Sequence, residues 1–122
     1  EAVLQEAVAT LVDRGARWIY LHGSQVSGTA TDTSDIDLAA YFAEPVPAAF
    51  EVNLPDGVDL LVLNGADLEI AGRVAMEGRL INERDEVGRV RWESTTRKIY
   101  SDELYRITRA RREYLEAVAD GR

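Results

Sequence analysis

The stretch GSQVSGTATDTSDIDLAAYF, residues 23–42, decides how this chain is read. Its second half alternates: Ile36, Leu38, Ala40 and Phe42 fall on one face of an extended segment, and Asp35, Asp37, Ala39 and Tyr41 fall on the other. That pattern predicts a strand from Asp35 to Phe42 with a core face and a second face that begins with two carboxylates. Residues i and i+2 of a strand project the same way, with their bases roughly 6 to 7 Å apart, so Asp35 and Asp37 can converge on one point. Uncompensated, such a pair repels and drives one member toward protonation; a divalent cation between them keeps both ionised. Taken alone, Asp-x-Asp also describes two solvated carboxylates at a strand edge.

The first half of the stretch adds a phosphate-side turn. Trp18 to Leu21 is a short apolar and aromatic run that ends at Gly23, as a buried strand feeding a turn does. At Gly23 the backbone can approach a ligand closely, and Ser24 offers a hydroxyl beside the backbone N–H groups of the turn. Residues 25–34 are small and polar and predict a loop with room for one helical turn. Gly-Ser alone is among the commonest turn dipeptides; its meaning here comes from the order strand, Gly-Ser turn, polar loop, carboxylate-bearing strand. A third acid, Asp59, stands second in the run Val58 to Leu63, where an acid among apolar residues needs a reason. Metal ligation supplies one, and exposure at the strand's beginning supplies another. If this strand pairs with 35–42, the three carboxylates meet above the sheet. Two ions there can clamp the attacking and departing oxygens of a phosphoryl transfer.

Outward from this centre, Val3, Leu4, Ala7, Val8, Leu11 and Val12 recur at helical spacing and predict a helix over 1–14, stopped by Gly15. Pro45 and Pro47 interrupt the pattern beyond Phe42. The stretch to Leu54 reads either as a short helix begun by Pro47 or as a strand with Phe50, Val52 and Leu54 on one side. Pro55-Asp56-Gly57 is a turn signal. A helix is expected over 66–77, with Leu68, Ala71, Val74 and Ala75 as its stripe and Gly78 as its stop, and a short strand around Leu80 and Ile81. From about Asp85 the chain reads as two helices or one bent helix, with Ser101 or Asp102 able to cap the second. Leu104, Ile107, Tyr114, Leu115 and Val118 supply the apolar stripe of that second part. There is no internal repeat.

Length and composition narrow the chemistry. The 122 residues, 46% of them hydrophobic, suit a single domain over 1–122, within the roughly 100 to 200 residues usual for one. No run nears the roughly 18 apolar residues of a membrane span, and no basic-then-apolar start marks a signal peptide; a cytoplasmic protein is expected. With no cysteine and one histidine, a metal must be held by carboxylates, which selects magnesium or manganese. Residues 1–60 hold ten acids against two arginines, whereas 61–122 hold twelve of each sign, so the whole excess of −8 lies in the half with the candidate site. An acidic chain is a poor match for a phosphate backbone, and direct nucleic-acid binding is not expected. His22, directly before the Gly-Ser turn, is placed to touch a nucleotide but reads first as a strand-end histidine with a local hydrogen bond, and Asp32 reads as solvated. Trp92 reads as core with Glu93 its exposed neighbour. Arg106, Arg109, Arg111 and Arg112 read as a solvated face paired with acids, or as a contact for a partner or phosphate.

Gly23-Ser24, ten residues, Asp35-x-Asp37-Leu38 and later Val58-Asp59-Leu60 together resemble the nucleotidyltransferase superfamily related to DNA polymerase β, and within it the minimal nucleotidyltransferase (MNT) domain. The motifs cover Trp18 to about Leu63. The resemblance implies an α+β fold, a short mixed sheet flanked by helices with a helical C-terminus. It also implies ATP bound with two magnesium ions and transfer of AMP to a hydroxyl. Gly23 and Ser24 would hold the triphosphate; Asp35 and Asp37 would ligate both metals; Asp59 would ligate one and help deprotonate the acceptor. Stand-alone MNT proteins are often antitoxins paired with HEPN-domain ribonuclease toxins, and the resemblance implies neutralisation of such a toxin by adenylylating a tyrosine on it. One departure is visible: many relatives carry arginine three residues after the Ser, where this chain has the neutral Ser27. Two other functions fit the same residues, an MNT-fold antitoxin of weak or no activity that acts by contact, and a small-molecule nucleotidyltransferase.

Overall fold

A computed structural model describes residues 2–23 and 35–121. The elements run α1 (Ala2–Asp13), β1 (Ala16–His22), β2 (Ile36–Phe42), a 3-10 turn (Ala49–Glu51), β3 (Val58–Val62), α2 (Leu68–Glu77), β4 (Arg79–Glu83) and α3 (Glu86–Ala119). The four strands form one mixed sheet in the order β3-β2-β1-β4, with β1 antiparallel to both neighbours and β2 parallel to β3.

The alternation along β2 sorts its side chains between two layers. Leu38, Ala40 and Phe42 join Ile19, Leu21, Ala7 and Leu11 in a core under α1, to which Val52 adds from beside the 3-10 turn. Ala39, Trp18, Tyr20, Leu63 and Val74 form the second core, closed by Tyr41, Leu61 and Trp92. The face that opens with two aspartates is therefore apolar further along. Helices α2 and α3 cover that part and leave its carboxylate end open. Trp92 fills the core position expected of it, tilted against Trp18 and Tyr20 at centroid distances of 6.3 and 5.8 Å. Glu93 differs from its expected exposure. It accepts a short hydrogen bond from the Tyr20 hydroxyl and pairs with Arg89 at 3.3 Å and Arg97 at 3.1 Å. Burial first, then the Glu93 carboxylate, push the Tyr20 phenol above its usual range.

Gly15 ends α1 in the left-handed region (φ 95°), as its position suggested. Gly78 also ends a helix but keeps φ −66°. Its lack of a side chain serves packing instead, because a Cβ there would lie 2.6 Å from the Val74 carbonyl oxygen. The stretch after Phe42 becomes neither of the expected elements in full. It makes a single 3-10 turn, with the Glu51 N–H bonded to the Ala48 carbonyl at 2.9 Å and the Glu51 carboxylate accepting from the Ala48 N–H at 2.7 Å. Phe50 points outward, 91% exposed, which rules out the strand alternative that aligned it with Val52.

The largest departure is α3, one unbroken helix of 34 residues, about 51 Å long. Ser101 and Asp102 cap nothing; Asp102 instead pairs with Lys98 one turn earlier at 3.1 Å, satisfied within the helix. The true cap is Asp85, whose carboxylate accepts from the Gly88 N–H at 3.0 Å. That hydrogen bond, with Arg17 beside it, holds the Asp85 carboxyl below the usual range. Among the described residues no helix is long and apolar enough to cross a membrane.

Candidate active site

Three strands deliver the site as one row. Parallel pairing of β2 with β3 sets Asp37 opposite Asp59, and antiparallel pairing of β1 with β2 sets His22 opposite Asp37. Asp35 immediately precedes β2 and is exposed, as is Asp59. The condition placed on Asp59, that its strand pair with the Asp35–Asp37 strand, is met in register.

The electrostatics arise from this crowding. The carboxylate of Asp35, with lesser help from desolvation, the charge of Asp37 and a hydrogen bond to Asp35, raises the Asp59 carboxyl above the usual range. The crowding thus favours the protonated form of Asp59, a state that a divalent cation would reverse. Among the described residues no three acidic or histidine side chains already close around a single point, so the row is a set of donors and not a finished cage. The donors themselves, all hard carboxylate oxygens with no thiol, fit magnesium or manganese. His22 is half-buried, and burial lowers its pKa, outweighing the opposing pull of Asp37 and of a backbone hydrogen bond at Leu38.

Gly23 turns the chain at φ 76°, a conformation that favours glycine, and a Cβ there would overlap the Asp37 carboxylate. The turn backbone and the metal-ligand candidate are thus in direct apposition. Ser24, Ser27 and Asp32 lie outside the described residues.

Beside this row is a cleft of about 630 Å³, lined by His22, Gly23, Ile70, Arg73, Val74, Glu77 and Tyr100. It lies where α2 and α3 reach the carboxylate end of the sheet, and Gly72 lets them close: a Cβ there would overlap the Tyr100 ring. None of Arg73, Glu77 and Tyr100 stands out in the sequence, because only the packing of α2 against α3 brings them to Gly23. A cavity of similar size, about 700 Å³, lies at the opposite strand ends around Trp18, Tyr41 and Thr96, away from the carboxylates.

Known proteins share the family and the fold of this chain. The family "Polymerase beta, Nucleotidyltransferase" matches residues 8–87, and the chain belongs to that family. A crystal structure of a toxin–antitoxin with AMP-PNP holds a chain 23% identical, with a TM-score of 0.69, covering 94% of this chain and 97% of that one. A chain of the MntA–HepT toxin–antitoxin is 21% identical, with a TM-score of 0.64 and coverage of 94% and 95%. A third, in a tri-AMPylated Shewanella oneidensis HEPN toxin in complex with MNT antitoxin, is 20% identical, with a TM-score of 0.64 and coverage of 94% of each chain. At these identities the likeness establishes the fold, which is that of the MNT antitoxins, a four-stranded mixed sheet with a long C-terminal helix. A search of curated proteins finds no match.

Proposed function

We propose that this protein is a magnesium-dependent nucleotidyltransferase that moves AMP from ATP to a hydroxyl, a tyrosine, of a HEPN-domain toxin and thereby neutralises it. The observation that carries this reading is the in-register row of Asp37 and Asp59, with Asp35 against Asp59 and the Gly23 turn against Asp37. The structural relatives described as holding AMP-PNP and as accompanying an AMPylated HEPN toxin support the choice of nucleotide and partner.

In this reading Asp35, Asp37 and Asp59 hold two magnesium ions, which when bound supply charge neutralisation for the triphosphate and polarise the reacting oxygens. Gly23 and Ser24 present backbone N–H groups and a hydroxyl to the phosphates. Asp59, exposed on the outer strand of the row, accepts the proton of the incoming hydroxyl. The hydroxyl oxygen bonds to the α-phosphorus, the bridging bond to the β-phosphate breaks, and its electron pair leaves with pyrophosphate.

The second half of α3 suits a partner. Its apolar stripe, Leu104, Ile107, Tyr114, Leu115 and Val118, is between 45% and 68% exposed. Around it Arg106 pairs with Glu103 and Arg109 with Glu113, as expected of a solvated helical face. A partner protein seated along this seam would bury what the chain itself leaves open. Incubating the protein with ATP, magnesium and the product of its neighbouring gene should add AMP to that product, seen as a mass increase on a tyrosine peptide. A partner inhibited without any added mass would overturn the enzymatic reading in favour of masking by contact.

A further inference from the structure

We infer that Arg73 is the cation that receives the outer phosphates of the nucleotide, in the cleft between Gly23 and helix α2. This rests on the nucleotidyltransferase reading above and assigns a residue which that reading leaves out.

Three observations lead to it. The first is a shortage of positive charge: residues 1–60 contain two arginines against ten acids, and the sequence just after Gly23-Ser24 has the neutral Gln25 and Ser27. A triphosphate entering beside Asp35, Asp37 and Asp59 needs cations on its far side as well as metal on its near side. The second is location. Arg73 is the one cation among the described residues lining the cleft, which also contains Gly23 and His22, and Gly23 abuts Asp37. The third is availability. Glu77 lies one helical turn from Arg73 and lines the same cleft, yet the two form no ion pair. Arg73 is exposed, and among the described residues it has no carboxylate partner. Arg89, Arg97, Arg106 and Arg109, by contrast, all pair with glutamates.

A guanidinium can meet two phosphate oxygens at once through its planar fork. Placed on α2, it would hold the β- and γ-phosphates as the α–β bridging bond breaks, and release them as pyrophosphate. Arg73 is in this sense a binding residue for the leaving group and takes no proton.

Calorimetric titration of the intact protein in magnesium with AMP-PNP and, separately, with AMP tests the assignment. Arg73→Gln should weaken AMP-PNP binding about tenfold or more and leave AMP binding unchanged, because AMP lacks the outer phosphates. Arg73→Lys should fall between, keeping the charge without the fork. Melting temperatures equal to the wild type establish that the variants are folded. Equal AMP-PNP affinity in wild type and Arg73→Gln would overturn the assignment alone, as would an equal loss for both ligands. A wild type that binds no AMP-PNP would overturn the nucleotidyltransferase reading and the assignment together. Binding that depends on Arg73 without transfer to any partner would leave the assignment standing and remove the activity.

Discussion

Asp59 is where the residue-scale account is most exposed to test. Asp35 and Asp37 raise its carboxyl, so Asp59→Asn relieves repulsion in the metal-free protein while removing a donor and a base. The expected outcome is a Tm equal to or above that of the wild type without magnesium. Transfer activity should fall by about 100-fold or more, since a metal-organised charge contributes several kcal/mol to such a transition state. A variant that loses stability but keeps activity would show Asp59 to be structural. His22 gives a pH signature. Its folded pKa lies below the unfolded one, so the unfolded chain binds the extra proton first, and stability present above about pH 6.5 is lost as pH falls through the folded pKa. Melting measured from pH 7 to 5 should show that decline, and His22→Gln should flatten it. Tyr20→Phe removes the hydroxyl bonded to Glu93 and should cost about 1 kcal/mol in denaturant unfolding.

Two glycines carry predictions at the scale of elements. Gly23→Ala meets both an unfavourable φ and the Asp37 carboxylate, and should cost more than about 1 kcal/mol while disturbing metal-dependent activity. Gly72→Ala drives a methyl group into the Tyr100 ring and should cost roughly 1 to 3 kcal/mol, measurable by denaturant unfolding. The elements also show what a sequence reveals and what it conceals. The alternation over residues 35–42 and the acid within Val58 to Leu63 announce β2, β3 and the carboxylate row, because period-two patterning is local. The continuity of α3 is concealed, since Ser101 and Asp102 resemble a cap until Lys98 is seen to satisfy Asp102 within the helix. The burial of Glu93 is concealed for the same reason: its partner Tyr20 lies 73 positions away, and no local pattern links them. The cleft residues Arg73 and Tyr100 belong to that class too, brought to Gly23 only when α2 packs on α3.

At the scale of the whole molecule, one end of the sheet carries the acids and the far half of α3 carries an uncovered apolar seam among arginines. A catalyst that modifies a protein needs both, a reacting centre and a surface that holds the acceptor near it. Leu104→Glu combined with Leu115→Glu should leave melting unchanged, because neither side chain joins the core clusters, but weaken a HEPN complex by roughly 30-fold or more, as loss of central apolar anchors does. Native mass spectrometry of the mixed proteins would read that loss. The row of Asp35, Asp37 and Asp59 is proposed to support AMP transfer to a partner, and that transfer can be followed directly. The decisive experiment incubates α-labelled ATP and magnesium with the HEPN protein and either the wild type or a folded Asp35→Ala, Asp37→Ala double variant. Label is expected on the HEPN protein with the wild type, none with the double variant and none when magnesium is chelated; equal labelling by both forms, or toxin inhibition by the wild type with no label at all, would contradict transfer by these carboxylates.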